Sequence, residues 1–137
     1  MFNLKVLLDQ NSIETINLFQ NLTRATVIDS ISEEGELYFV IAEGQYGLAV
    51  GKGGAKIKNA EKVFKKTIKV LEYSEDLEKF VRNVIPEAQE ITRHEKQIFV
   101  KIKPQDRPRV IGKNGKNIKI INKFLQRLFD IEELKLK

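Results

Sequence analysis

Two tetrapeptides carry the chemistry that can be read most directly from these 137 residues: Gly51-Lys52-Gly53-Gly54 and Gly112-Lys113-Asn114-Gly115. A Gly-x-x-Gly step between helices permits a sharp turn and a close approach of backbone to a ligand, because neither glycine carries a Cβ. The helix that follows opens with unpaired N–H groups and the positive end of its dipole, which can meet a phosphate without a dedicated side chain. Lys52 and Lys113 add a mobile positive charge, and neither corner contains an acid. The chemistry indicated is anion binding. It is not that of a P-loop, which needs G-x-x-x-x-G-K followed by Ser or Thr. Tyr46 and Arg107 stand where the first glycine would be, and Gly53 and Asn114 where the magnesium-holding hydroxyl would be. A dinucleotide-type G-x-G-x-x-G is also absent.

One isolated G-x-x-G reads equally well as a tight turn between helices. The second copy tips the balance toward anion-directed function. With Gly51 set against Gly112, Ile57 falls opposite Ile118, Ala60 opposite Ile121, Val63 opposite Phe124 and Phe64 opposite Leu125. Lys52, Lys58 and Lys62 fall opposite Lys113, Lys119 and Lys123. Apolar stripe and basic positions recur together, the mark of an internal duplication. Charge follows the corners. The net +5 conceals a run from Lys52 to Lys69 with seven lysines and one acid, Glu61, and a run from Lys101 to Arg127 with nine basic residues and one acid, Asp106. Lys56, Lys58, Lys116 and Lys119 lie within two turns of a corner and suit phosphate contact. Lys62, Lys65, Lys66 and Lys123 suit a solvated helix face equally well. Arg107 and Arg109 flank the second corner only, where the first has Gln45 and Leu48, which predicts stronger phosphate binding by the second unit.

The elements that must position the corners follow from periodicity. Residues 12–23 carry Ile13, Ile16, Phe19 and Leu22 at helical spacing, with Ser12 as a candidate cap. Residues 25–31 and 37–43 read as strands around an EEGE turn. A short lead-in, the corner, a lysine-bearing helix and a strand over 67–73 complete the first unit. Residues 75–85, stopped by Pro86, open a second unit in the same order: helix, strand, strand, short helix, corner, helix, strand. The boundary falls near Tyr73–Asp76, giving units 1–74 and 75–137, and no Pro/Gly/Ser-rich linker separates them.

A G-x-x-G loop is the backbone clamp of the KH module, which holds about four single-stranded nucleotides. Both units resemble KH domains of type II, an α+β fold in which each domain is ordered helix–strand–strand–helix–helix–strand with a three-stranded sheet. The chain as a whole is similar to archaeal NusA-like transcription factors, on the stretches LFQNLTRATVID, EGQYGLAVGKGGAKIK, KVLEYSEDLEKFVRNVIPEAQ and RVIGKNGKNIKIINKFL. The resemblance implies single-stranded RNA as partner, a role in transcription elongation or termination, and RNA polymerase as a candidate second partner. It also implies that Gly51, Lys52, Gly53 and Gly54, and Gly112, Lys113, Asn114 and Gly115, touch the sugar–phosphate backbone. Val50 with Ile57, and Ile111 with Ile118, match the apolar floor beneath the nucleotides, positions that core packing explains as well. Lys56, Lys58, Lys116, Lys119 and Arg109 complete the implied RNA-binding set.

Other chemistries find little support. The chain has no cysteine, which excludes thiolate zinc sites, disulfides and a cysteine nucleophile. The single histidine, His94, sits in a charged TRHEK turn, and Glu33, Glu34 and Glu36 read as a solvated hairpin tip. No enzyme activity, cofactor or metal is expected. No apolar run reaches the length of a membrane span and no export signal is evident, so a cytoplasmic protein without a membrane partner is expected, with a monomer favoured. Aromatic residues for base stacking are scarce: Tyr46 is the nearest to a corner, and packing is its expected role. Two further readings stay open, a KH protein of RNA processing or ribosome assembly, and a protein-interaction module on RNA polymerase whose corners are structural.

Overall fold

The computed structural model describes residues 10–137, and the chain divides into two compact units, Met1–Tyr73 and Ser74–Lys137. In the first, helix α1 (Gln10–Thr23) places Phe19 fully inside the core, while Ile13 at the other end of the predicted stripe is 54% exposed. The helix begins before Ser12, which therefore lies within it and is not its cap; the Ser12 side chain falls outside the described residues. Strands β1 (Val27–Glu33) and β2 (Glu36–Ile41) pair antiparallel across a two-residue turn, Glu34–Gly35, with positive φ at both positions. That backbone matches the right-handed twist of a hairpin. Ala25, predicted as strand, is instead a buried core residue ahead of β1.

The chain then runs through α2 (Tyr46–Val50), a 3₁₀ turn (Lys52–Gly54) and α3 (Ala55–Phe64) before β3 (Thr67–Glu72) pairs parallel with β2. Parallel neighbours require a crossover, and here the crossover contains the glycine corner. The sheet order is β1-β2-β3. Leu37, Phe39 and Ile41 alternate along β2 toward a core shared with Phe19, Ala49, Ala60 and Ile68, with the rings of Phe19 and Phe39 stacked at 3.9 Å.

The second unit repeats the plan: α4 (Leu77–Val84), β4 (Glu90–His94), β5 (Gln97–Lys101), α5 (Arg107–Ile111), a 3₁₀ turn (Lys113–Gly115), α6 (Lys116–Phe129) and β6 (Glu133–Leu136), with sheet order β4-β5-β6. Pairing is again antiparallel for β4–β5 and parallel for β5–β6. The expected helix–strand–strand–helix–helix–strand order and three-stranded sheets are thus present in both units. Helix α4 starts later than predicted because Asp76 is its N-cap, accepting from the Glu78 N–H at 3.2 Å.

One device fixes the edge strand in each unit. The Glu61 carboxylate on α3 accepts the Ile68 N–H of β3 at 2.9 Å. At the equivalent place on α6, the Asn122 amide oxygen accepts the Leu134 N–H of β6 at 2.6 Å, and its NH₂ donates to the Ile118 carbonyl at 3.1 Å. The one acid of the first basic run is therefore occupied with the strand. Asn122→Ala leaves a half-buried N–H without its acceptor, a loss of about 1–3 kcal/mol. Chemical denaturation checks this, and a midpoint equal to that of the parent would refute it.

On the opposite face of β2, Tyr38 is buried and its hydroxyl donates to Glu36 at 2.9 Å. Glu36 is thus not part of the solvated tip; it also lies 3.9 Å from Lys69. Burial first, then the hydrogen bond and charge of Glu36, hold the Tyr38 phenol well above its ordinary value of 10.0. Above pH 10.0 the unfolded chain ionises at this residue before the folded one does, so stability falls as pH rises past that point and is unaffected by this group below it. Melting temperatures on either side should show a decline that is smaller in Tyr38→Phe; identical declines would contradict the assignment.

Candidate nucleic-acid interface

The two corners share one backbone shape. Gly51 has φ 80° and ψ 167°, and Gly112 has φ 80° and ψ 170°, a region open essentially to glycine alone. A Cβ at Gly51 would come within 2.7 Å of Lys56 Cγ and 2.9 Å of Lys56 N, and one at Gly112 within 2.7 Å of both Cβ and N of Asn117. The first glycine of each corner thus lies directly against the start of the following helix. The third position is left-handed, φ 63° at Gly53 and 57° at Asn114. Asparagine is one of the few side chains that visit this region routinely, which is why GKNG can replace GKGG.

Each turn is closed by a hydrogen bond from the last glycine to the first carbonyl: Gly54 N–H to Gly51 at 3.0 Å and Gly115 N–H to Gly112 at 3.1 Å. The amides of Lys52 and Gly53, and of Lys113 and Asn114, precede that bond, where a helical start leaves donors without intrahelical partners. The short helices are anchored at their entry. Gln45 Oε1 accepts the Thr26 N–H at 2.6 Å and Glu72 Oε1 accepts the Tyr46 N–H at 3.1 Å. In the second unit the Arg107 guanidinium donates to the Lys137 carbonyl at 2.7 Å.

Among the described residues, Lys52, Lys58, Lys113 and Lys119 are exposed and have no ion-pair partner. Lys58 folds back beside its corner, with Cε 4.0 Å from where a Gly54 Cβ would lie. Val50, Ile57, Ile111 and Ile118 are half-buried, and Ile57 packs on the core of its unit. Lys116 is half-buried.

Two residues of the expected set are committed elsewhere. Lys56 Nζ donates to the Thr23 carbonyl at 2.8 Å, capping the C-terminus of α1. Its counterpart Asn117 donates to the Val110 carbonyl at 2.9 Å. Arg109 lies 2.9 Å from Asp106 and 3.3 Å from Glu87, so its charge is locally balanced although the side chain is 71% exposed. The extra arginines of the second corner are both tied to their own chain.

Comparison with known proteins bears on these paired corners. The family model for the KH domain matches residues 16–85 and 75–136. The chain belongs to the KH family. It is 35% identical to the probable transcription termination protein NusA of Methanococcus vannielii, over 97% of this chain and 80% of that protein. The NusA protein of Methanocaldococcus jannaschii, likewise named a probable transcription termination protein, is 34% identical over 96% of this chain and 75% of its own length. The crystal structure of APE1850 matches with a TM-score of 0.74 at 32% identity, covering 91% of this chain and 96% of that one. This tandem KH protein is homologous to archaeal NusA-like transcription factors, and RNA binding in the general sense comes with the family.

The KH corners are where sequence reasoning placed them, but it missed a feature of their surroundings. Tyr46, expected to pack, is 49% exposed. Only the helical phase of α2 could have signalled this, since Ala49 is the residue of that helix that enters the core. Among the described residues, no three His, Asp or Glu side chains gather as a metal site, and no helix is long and apolar enough to cross a membrane.

Proposed function

We propose that this KH protein grips single-stranded RNA at two points and acts in transcription elongation or termination, with RNA polymerase as its protein partner. The observation that supports the grip is the twofold recurrence of one glycine-dependent backbone, each copy carrying an exposed lysine free of carboxylates, Lys52 or Lys113. In this reading the corner amides meet phosphate oxygens, and Lys52, Lys58, Lys113 and Lys119 neutralise adjacent phosphates. Gly51, Gly54, Gly112 and Gly115 let the backbone close in, while Val50, Ile57, Ile111 and Ile118 floor the groove. Lys56 and Lys116 complete the basic set beside the corners, Lys56 from its bond to the Thr23 carbonyl, and Arg109 is a reserve charge released only if a phosphate displaces its carboxylates. The role is one of binding rather than catalysis.

The test replaces Lys52 and Gly53 together with Asp, and likewise Lys113 and Asn114. No atom lies within 4 Å of a Cβ built at Gly53, and Asn114 already carries a side chain in the same left-handed conformation, so the fold should survive. Loss of RNA affinity with a cooperative melting transition retained, lowered by no more than the backbone strain at Gly53 accounts for, supports the grip; unchanged affinity overturns it. Crosslinking in cells followed by sequencing distinguishes nascent transcripts, which the transcription role requires, from ribosomal precursors.

A further inference from the structure

We infer that Tyr46 is a base-stacking platform in the first unit, so that the two grooves bind RNA by different chemistry; this rests on the reading of the corners as RNA grips. Among the described residues, Tyr46 is the one phenyl or phenol ring that is neither buried nor half-buried. Neither its ring nor its hydroxyl has a partner among them. An isolated exposed apolar side chain is ordinary, but this one projects from a fixed point. The Glu72 carboxylate holds the Tyr46 amide, and the side chain of the preceding residue, Gln45, holds the Thr26 amide. Tyr46 and Val50 stand at i and i+4 on α2 and so share a face, about 6 Å apart along the axis. Val50 leads directly into the corner, whose first amide is bonded back to the carbonyl of Gly47 at 2.9 Å.

A strand whose phosphates sit at Gly51–Gly54 therefore carries its bases past a ring that is anchored, unpartnered and restricted to two side-chain torsions. Stacking on such a ring is open to every base, because every base has a π-face. The second unit has no ring at this position. Arg107 occupies the equivalent position and its guanidinium is bonded to the Lys137 carbonyl. The first groove would then draw its affinity from base stacking plus the lysines, and the second from charge and backbone contacts.

The test uses the full chain with labelled oligoadenosine and oligouridine, comparing the parent, Tyr46→Ala, Tyr46→Phe, Leu48→Ser and the Lys52/Gly53 double-Asp protein. Leu48 is also exposed but two residues from Tyr46, on the other side of α2. Tyr46→Ala is expected to weaken oligoadenosine binding by about fivefold or more, the lower end of a base–aromatic stack. Tyr46→Phe and Leu48→Ser should bind like the parent, and RNA should quench tyrosine emission in the parent but not in Tyr46→Phe. Parent-like binding by Tyr46→Ala, with binding lost in the double-Asp protein, overturns the platform and leaves the grip standing. Equal weakening by Ala and Phe overturns it in favour of a hydroxyl contact. Retained binding by the double-Asp protein removes the grip itself and the platform with it. So does failure of the parent to bind either oligomer, since a base-tolerant platform must register one of them.

Discussion

Gly112→Ala is expected to cost about 3 kcal/mol or more, while Gly115→Ala, three residues away in the same corner, costs about 1–2 kcal/mol. Both glycines have positive φ, 80° and 75°. They differ in what a new Cβ would meet. At Gly115 nothing lies within 4 Å, so only backbone strain is added. At Gly112 the Cβ would lie 2.7 Å from the backbone nitrogen of Asn117, and Asn117 is itself held by its bond to the Val110 carbonyl. A flexible side chain could yield; a helix start fixed from both sides cannot without moving α6. Since 1 kcal/mol corresponds to about 4–8 °C in a domain of this size, the two melting temperatures should separate clearly. Equal shifts would mean that the corner deforms freely and that its shape is not imposed by the following helix.

Reversing charge at both corners together should reduce RNA affinity about a hundredfold at low salt, taking about tenfold for each lost charge-assisted contact. The salt dependence is the more diagnostic measurement. Single-stranded nucleic acid releases about 0.7 counterion per neutralised phosphate. A protein that has lost one phosphate contact per corner should therefore show a plot of log affinity against log salt that is shallower by about 1.4. Affinity lost with an unchanged slope would point to disturbed packing rather than to a lost phosphate contact.

What could be read from the sequence divides along physical lines. The corners were legible because glycine at a forced positive φ leaves a mark in residue type, and because the mark occurs twice. Strands and helices were legible from the spacing of residues such as Phe19, Leu37, Phe39 and Phe124. Their ends were less so: Asp76 takes the cap that starts α4 late, and Ala25 enters the core before its strand begins. The bond made by Lys56 was hidden for a different reason. Nothing in its neighbours indicates that its ammonium meets Thr23, which is brought there only by the folded unit. For Arg109 the pairing with Asp106, three residues away, was within reach of the sequence, whereas Glu87 lies on a distant stretch of chain. Glu61 and Asn122 hid an equivalence because two unlike residue types perform one task, accepting a strand amide.

The placement of each corner inside the crossover between parallel strands has a consequence for how the protein acquires its shape. The pairing of Leu37 with Ile68, or of Ile98 with Leu134, joins segments far apart in the chain. Such pairings form late, because the entropy of closing a long loop is lost before any contact compensates it. The β1–β2 and β4–β5 hairpins, by contrast, need only local closure. On a growing polypeptide the antiparallel hairpin can therefore be complete while the glycine turn is still unconstrained. The glycine turn takes its final setting only when the last strand of its own unit has emerged and docked, so each half of the chain completes its crossover in a single late step.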